Sequence, residues 1–180
     1  MPTLPNNSLS ISVVCYQSDR GELEQLIASI LSCVAELRRQ QLGGENLQRL
    51  RLEDTEFDNN EPDPASKPRQ KKAELGKDGS PQTISVYLID NSELSELSLA
   101  DFEDYQQQAG QLGVELRLLH GHGNVGYGAA HNLIINNLDT GFHLMLNPDV
   151  VLDKLFLSEG VNYLIDHDDV ALAVPMASHE

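Results

Sequence analysis

The chain has 180 residues, 40% of them hydrophobic, which is enough for one sizeable core and one domain. It carries 28 acidic against 12 basic side chains, and 7 of those 12 (Arg49, Arg51, Lys67, Arg69, Lys71, Lys72, Lys77) fall within residues 41–80, leaving 5 basic groups against 19 acids elsewhere. Such a body repels a polyanion, which excludes nucleic acid as a partner; with no apolar run of membrane-spanning length and no basic-then-apolar leader, the expected location is the cytoplasm.

In chain order, "SISVVCYQS" (Ser10 to Ser18) is a compact β-branched run and predicts a buried strand. Asp19 and Glu22 stand at capping-box spacing, and Leu23, Leu26, Ile27, Ile30, Leu31, Val34 and Leu37 recur at helical spacing, so a helix should follow. From Gly43 to Pro81 prolines, charges and Asn-Asn leave too little apolar surface to offset ordering, and the stretch 41–80 reads as a disordered insertion. "TISVYLIDNS" (Thr83 to Ser92) predicts a second strand, Leu97 to Ala109 a weaker helix, and "VELRLLH" (Val114 to His120) a third strand. Ala129 to Leu138 reads as a helix, "FHLMLNPDV" as a fourth strand ending at Asn147-Pro148-Asp149, Asp153 as the cap of a helix to Ile165, and "DVALAVP" (Asp169 to Pro175) as a fifth strand. Strands alternating with helices imply an α/β fold with a mostly parallel sheet covered on both faces.

In such a sheet ligands sit beyond the C-terminal strand ends. The polar residues expected there are Gln17, Ser18 and Asp19, then Asp90 and Asn91, His120 to Asn124, and Asn147 with Asp149. Taken singly, each group is an ordinary turn or cap; four on one edge make a site. Carboxylate and amide oxygens are hard ligands suited to Mg²⁺ or Mn²⁺, ions that take one or two protein carboxylates and complete their shell with phosphate and water. Gly121, Gly123 and Gly126 satisfy G-x-G-x-x-G, yet that turn follows the third strand, whereas a dinucleotide fold places it after the first. His120, His122 and His131 offer imidazoles for zinc, but glycine-flanked loop residues lack a fixed tetrahedral geometry, so solvated loop histidines are expected; His143 should be packed and hydrogen-bonded. Cys15 and Cys33 read as small buried hydrophobes.

The series "SVVCYQS", "VYLIDNS", "GNVGYGAAHN" and "LMLNPDV", in that order, resembles the N-terminal half of a family 2 glycosyltransferase of GT-A (Rossmann-like) fold, especially the bacterial rhamnosyltransferase-like branch. The likeness spans the chain outside 41–80 and rests on Asn124-x-Gly126, Ala130-x-Asn132 and Asn147-Pro-Asp149. It implies one GT-A nucleotide-sugar-binding part over 1–180, incomplete at its C-terminus. Tyr16, Gln17, Ser18, Asp90 and Asn91 would hold the nucleoside, with Asp90 accepting a hydrogen bond from base or ribose. Asn124, Gly126 and Asn132 would shape the donor pocket, and Asp149 would contact Mg²⁺ or Mn²⁺, with Asn147 where relatives carry a first aspartate. The implied reaction moves a sugar, dTDP-rhamnose being the donor by analogy, to a saccharide or lipid-linked acceptor with inversion, at the inner face of the cell membrane. The general base of relatives lies further along the chain than Glu180, so no catalytic base is named here. A non-catalytic nucleotide-sugar-binding module and a dinucleotide-dependent oxidoreductase are the alternatives. Acceptor, donor base and oligomeric state are not legible in these residues.

Overall fold

The computed structural model describes residues 8–53 and 83–175, with side chains described up to residue 40 in the first stretch and throughout the second. Strands and helices alternate: β1 (Ser8–Cys15), α1 (Arg20–Glu53), β2 (Thr83–Asp90), a 3₁₀ turn (Leu99–Phe102) running into α2 (Glu103–Gln111), β3 (Val114–Leu119), α3 (Tyr127–Ile135), β4 (Phe142–Leu146) and α4 (Phe156–Asp166). The four strands form one all-parallel sheet in the order β3-β2-β1-β4. The α/β class with helices on both faces is therefore as expected.

Side-chain alternation along β1 sorts the two faces. Leu9, Ile11, Val13 and Cys15 join Leu23, Leu26, Ile27, Ile30 and Val34 of α1 in the main core, together with Ile84, Val86 and Leu88 of β2. Each fully buried leucine or isoleucine contributes about 1.5–3 kcal/mol relative to exposure, which explains why α1 shows its apolar residues at spacings of three and four. The opposite face of β1 presents Ser8, Ser10 and Ser12, all buried, and then Val14, which packs with Ile89 of β2 and with Ala130 and Ile134 of α3.

Strand order fixes which helix lies where. The chain steps from β1 to β2 to β3 in one direction, then returns across the sheet to β4 on the far side of β1. Right-handed crossovers put α1 and α2 on one face and, once the direction reverses, α3 on the other. The reversal opens a crevice between the tips of β1 and β4.

Several boundaries differ from the sequence reading. β1 ends at Cys15, so Tyr16 to Ser18 leave the sheet. Asp19 starts α1 as expected, its carboxylate accepting from the Glu22 amide at 3.0 Å. The helix then runs through Gly43 and Gly44 to Glu53, past the point where disorder was expected; residues 54–80 of that stretch lie outside the described residues. The segment 45–53 consists largely of Glu, Leu, Gln and Arg, good helix formers that carry the helix on despite a cost of about 1 kcal/mol per glycine. The expected fifth strand is not formed. Residues 170–175 pair with no strand among those described and instead line an open apolar groove of about 620 Å³ with Phe142, Leu144, Phe156 and Val161, leaving Leu172 and Val174 exposed. Apolar and β-branched residues fit a pleated surface, but they do not make a strand unless they lie in register along an edge, and 170–175 does not pair with the open edge of β4. No helix among the described residues is long and apolar enough to cross a membrane.

Candidate functional site

At the β1 tip the chain turns sharply. Gln17 has φ +48°, a left-handed conformation uncommon for a residue with a Cβ. The Tyr16 amide donates to the Ser18 hydroxyl at 3.2 Å, tightening the turn. Gln17 and Ser18 line a cavity of about 190 Å³ with Asp90, Ser92, Leu97 and Phe102, and Arg20 stands at its rim. Arg20 is itself held by Glu24 at 2.9 Å and Asp101 at 3.3 Å.

Asp90 ends β2 opposite Cys15 and is 1% exposed. Its carboxylate accepts from the backbone amides of Ser92 at 3.1 Å, Glu96 at 2.7 Å and Leu97 at 3.1 Å. Burial alone would raise its pKa, but the amides of Leu97, Ser92 and Glu96 outweigh that and hold the carboxyl below its usual range. Asp90 was expected to receive a base or ribose hydroxyl; here its oxygens fold the 91–97 loop around themselves. Its charge is committed to the backbone.

Asn91 is the residue that reaches forward. Its backbone amide donates to the Cys15 carbonyl at 2.8 Å, its side-chain NH₂ donates to Asn124 Oδ1 at 3.1 Å, and its Oδ1 accepts from the Val125 amide at 3.0 Å. Asn124 Oδ1 also accepts from the Gly126 amide at 3.0 Å. Two asparagines thus tie the glycine-rich loop to the tips of β1 and β2. Gly126 has φ +84° and ψ 156°, a region essentially reserved for glycine, and this turn aims α3 at the crevice. The first intrahelical bond runs from the Ala130 amide to the Gly126 carbonyl, so the amides of Tyr127, Gly128 and Ala129 have no intrahelical acceptor and point out of the helix start.

Tyr127 closes the arrangement. Its hydroxyl donates to Asn147 Oδ1 at 2.9 Å, joining α3 to the turn after β4. Burial raises its pKa, and the charge of Asp149, two residues beyond Asn147, adds to the rise. Asp149 is exposed and makes no hydrogen bond or ion pair among the described residues.

The structure therefore joins Asn91, Asn124, Gly126, Asn147 and the vicinity of Asp149 into one rim, and Gln17, Ser18 and Asp90 into the adjoining cavity. Asn132 is exposed on α3 and makes no side-chain hydrogen bond among the described residues. Tyr127 and Arg20 were missed in sequence: an aromatic between two glycines and a helix-start arginine carry no signal until the fold places them. The three histidines do not converge, and no group of three or more His, Cys, Asp or Glu suited to a metal occurs among the described residues. His131, expected to be solvated, is 2% exposed on α3 and bonded to Ser12 at 2.7 Å, because its face of the helix lies on the serine side of β1. His120 meets Ser95 and His122 the Gly123 carbonyl. Both thiols are buried; burial first, and then Asp90, pushes Cys15 up to about 12, while burial and Asp153 push Cys33 up to about 11, so neither is a nucleophile at neutral pH.

The donor set fits a hard divalent ion held jointly with a ligand. One uncommitted carboxylate beside an amide oxygen is no all-protein cage, but Mg²⁺ and Mn²⁺ accept such a foothold when phosphate oxygens supply the rest.

No family model matches the chain, and no curated protein matches it. Two solved structures of S. aureus TarS are similar to it. TarS 1-349 gives a TM-score of 0.49 at 16% identity over 89% of this chain and 33% of that one. A longer TarS chain gives 0.49 at 14% identity over 89% and 20%. This chain thus spans about a third and a fifth of the two TarS chains.

Proposed function

We propose that the chain binds a nucleoside diphosphate sugar and takes part in transferring the sugar to an acceptor hydroxyl, as the resemblance to GT-A glycosyltransferases implies. The observation that carries this reading is the Tyr127–Asn147 bond beside Asp149, which sets a helix start and an uncommitted carboxylate against one crevice. The amides at the start of α3 favour negative charge, as a diphosphate requires. The cavity under Gln17 and Ser18 is of a size to take a base, with the 91–97 loop, shaped by Asp90, as its wall.

On this reading Asp149 holds Mg²⁺ or Mn²⁺, with Asn147 kept in place by Tyr127. The bound cation supplies neutralisation of the charge that grows on the departing diphosphate. The chain's own residues do the rest of the positioning: Asn91 and Asn124 keep the glycine loop in register, and Gly126 brings backbone close to the donor. Transfer with inversion, a rhamnosyl donor, a saccharide or lipid-linked acceptor and action at the cytoplasmic face of a membrane are the finer parts of the proposal. The glycine turn after β3, not β1, disfavours a dinucleotide cofactor.

Calorimetric titration with UDP and dTDP, with and without Mn²⁺, tests the reading. Binding should require the metal and weaken tenfold or more, about 1.4 kcal/mol, in Asp149→Ala, with NAD⁺ inert. Metal-independent binding, or an unchanged affinity in Asp149→Ala, would overturn it.

A further inference from the structure

A chain of polar side chains runs through the α3 side of the sheet and takes no part in the function proposed above. Thr140 Oγ1 lies 2.9 Å from Ser10 Oγ, Ser10 Oγ 2.7 Å from His143 Nδ1, His143 Nε2 2.9 Å from Ser12 Oγ, and Ser12 Oγ 2.7 Å from His131 Nδ1. Ser10, Ser12 and His131 are 0%, 0% and 2% exposed. The chain ends at His131 Nε2, which is buried and has no partner. Tyr127 stands against the same ring edge-to-face, with centroids 4.6 Å apart at 81°.

Counting protons fixes the direction of these bonds. If His131 Nδ1–H donates to Ser12, then Ser12 donates to His143 Nε2, His143 Nδ1–H to Ser10, and Ser10 to Thr140. Every donor from His131 to Ser10 is used, Ser10 also having the Phe142 carbonyl within 3.4 Å, and Nε2 of His131 keeps only a lone pair. The reverse sense satisfies the same contacts but leaves an Nε2–H without an acceptor, the rarer and costlier arrangement in a protein interior. The first sense is therefore the resting one. A proton added to His131 puts an N–H at this buried, unpartnered end of the chain, in the ring that packs against Tyr127.

We infer that His131 is a positioning residue: seated on the Ser12–His143–Ser10 chain, it fixes the Tyr127 ring that holds Asn147, and on taking up a proton it shifts that ring. Its consequence for sugar-nucleotide binding rests on the function proposed above; the coupling of the two rings does not.

The surroundings offer the added charge no rest. β1 contributes only serines, α3 contributes Tyr127, and the turn before β4 contributes Thr140 and Asp139, whose carbonyl accepts from Ser8. Glu159 and Tyr163 of α4 line the groove that His143 also borders, and Asp149 acts on Tyr127. No carboxylate is hydrogen-bonded to either imidazole among the described residues. Burial, and for His143 also the neighbouring His131, lower both pKa values below the ordinary 6.5, so the proton arrives only below that pH. Tyr127 keeps its own proton there, its pKa being raised.

The test is to label the full chain with ¹³C-histidine and ¹³C-tyrosine and follow ring signals from about pH 8 to about pH 5. The His131 and Tyr127 signals should move together with one midpoint below 6.5, and the Tyr127 movement should vanish in His131→Gln. A Tyr127 signal that stays fixed while His131 titrates, or a His131 that stays neutral until the chain unfolds, would overturn the inference even if the variant does not fold. UDP affinity with Mn²⁺ should fall about fivefold or more through the same midpoint, and a flat profile would count against the coupling to Asn147. Joint movement of the rings in a chain that binds no UDP at any pH would sink the functional reading and leave the positioning role standing.

Discussion

Asp90 shows how much backbone a single strand-end carboxylate can organise. Three amides from one loop converge on it, so Asp90→Ala leaves three buried donors without an acceptor and should cost about 3 kcal/mol, read as a lower urea midpoint with unchanged slope. The sign of its pH dependence follows from the lowered pKa. The unfolded carboxyl binds protons near pH 4 and the folded one only below that, so the stabilisation is whole above about pH 4 and is lost as pH falls through the folded value. Acid unfolding of the wild type should steepen in that window and flatten in Asp90→Asn. A strand-end aspartate beside asparagine was legible as a site marker. What could not be read was the loop that curls back over it, because a turn of six or seven residues is set by tertiary closure rather than by local pattern.

At the scale of elements, the register of α3 decides the geometry. Gly126 holds a conformation closed to other residues, while an added Cβ would meet nothing within 4 Å. Gly126→Ala should therefore cost about 1–3 kcal/mol through backbone strain alone and misdirect Tyr127. Gly128→Ala, also without a clash but inside the helix, should be neutral or slightly stabilising, and thermal melts of the two variants separate the cases. Periodicity placed β1, β2, β3 and β4 correctly because each carries a dense apolar or alternating run. It missed the start of α3, since Gly126, Tyr127 and Gly128 are poor helix formers recruited by the loop clamp, and it promoted 169–175 to a strand because apolar content says nothing about whether a segment pairs with an edge.

For the molecule as a whole, charge sets the terms of binding. Outside 41–80 three arginines are already matched to carboxylates: Arg20 by Glu24 and Asp101, Arg39 by Glu36, and Arg117 by Glu115 while its guanidinium lies over Tyr87 at 5.5 Å. An anion approaching a chain of net charge −16 meets repulsion that salt screens. UDP supplied as its Mn²⁺ complex, still a net anion, should consequently bind tighter, by up to about twofold, as NaCl rises from about 20 to about 200 mM; marked weakening with salt, as at a basic cradle, would mean that the anion sits on cations placed elsewhere. This acidity was plain in the composition. The crevice it surrounds was not, because it arises where strand order reverses, and order is written in long-range pairing.

The asparagine pair has a kinetic corollary. Because Asn91 and Asn124 stitch the glycine loop to its neighbours with the chain's own hydrogen bonds, the ordering entropy of that segment is spent during folding rather than at encounter. Recognition should then proceed as docking into a preformed mould, with a small heat-capacity change and an on-rate governed by diffusion and charge, not by a slow rearrangement of the cradle.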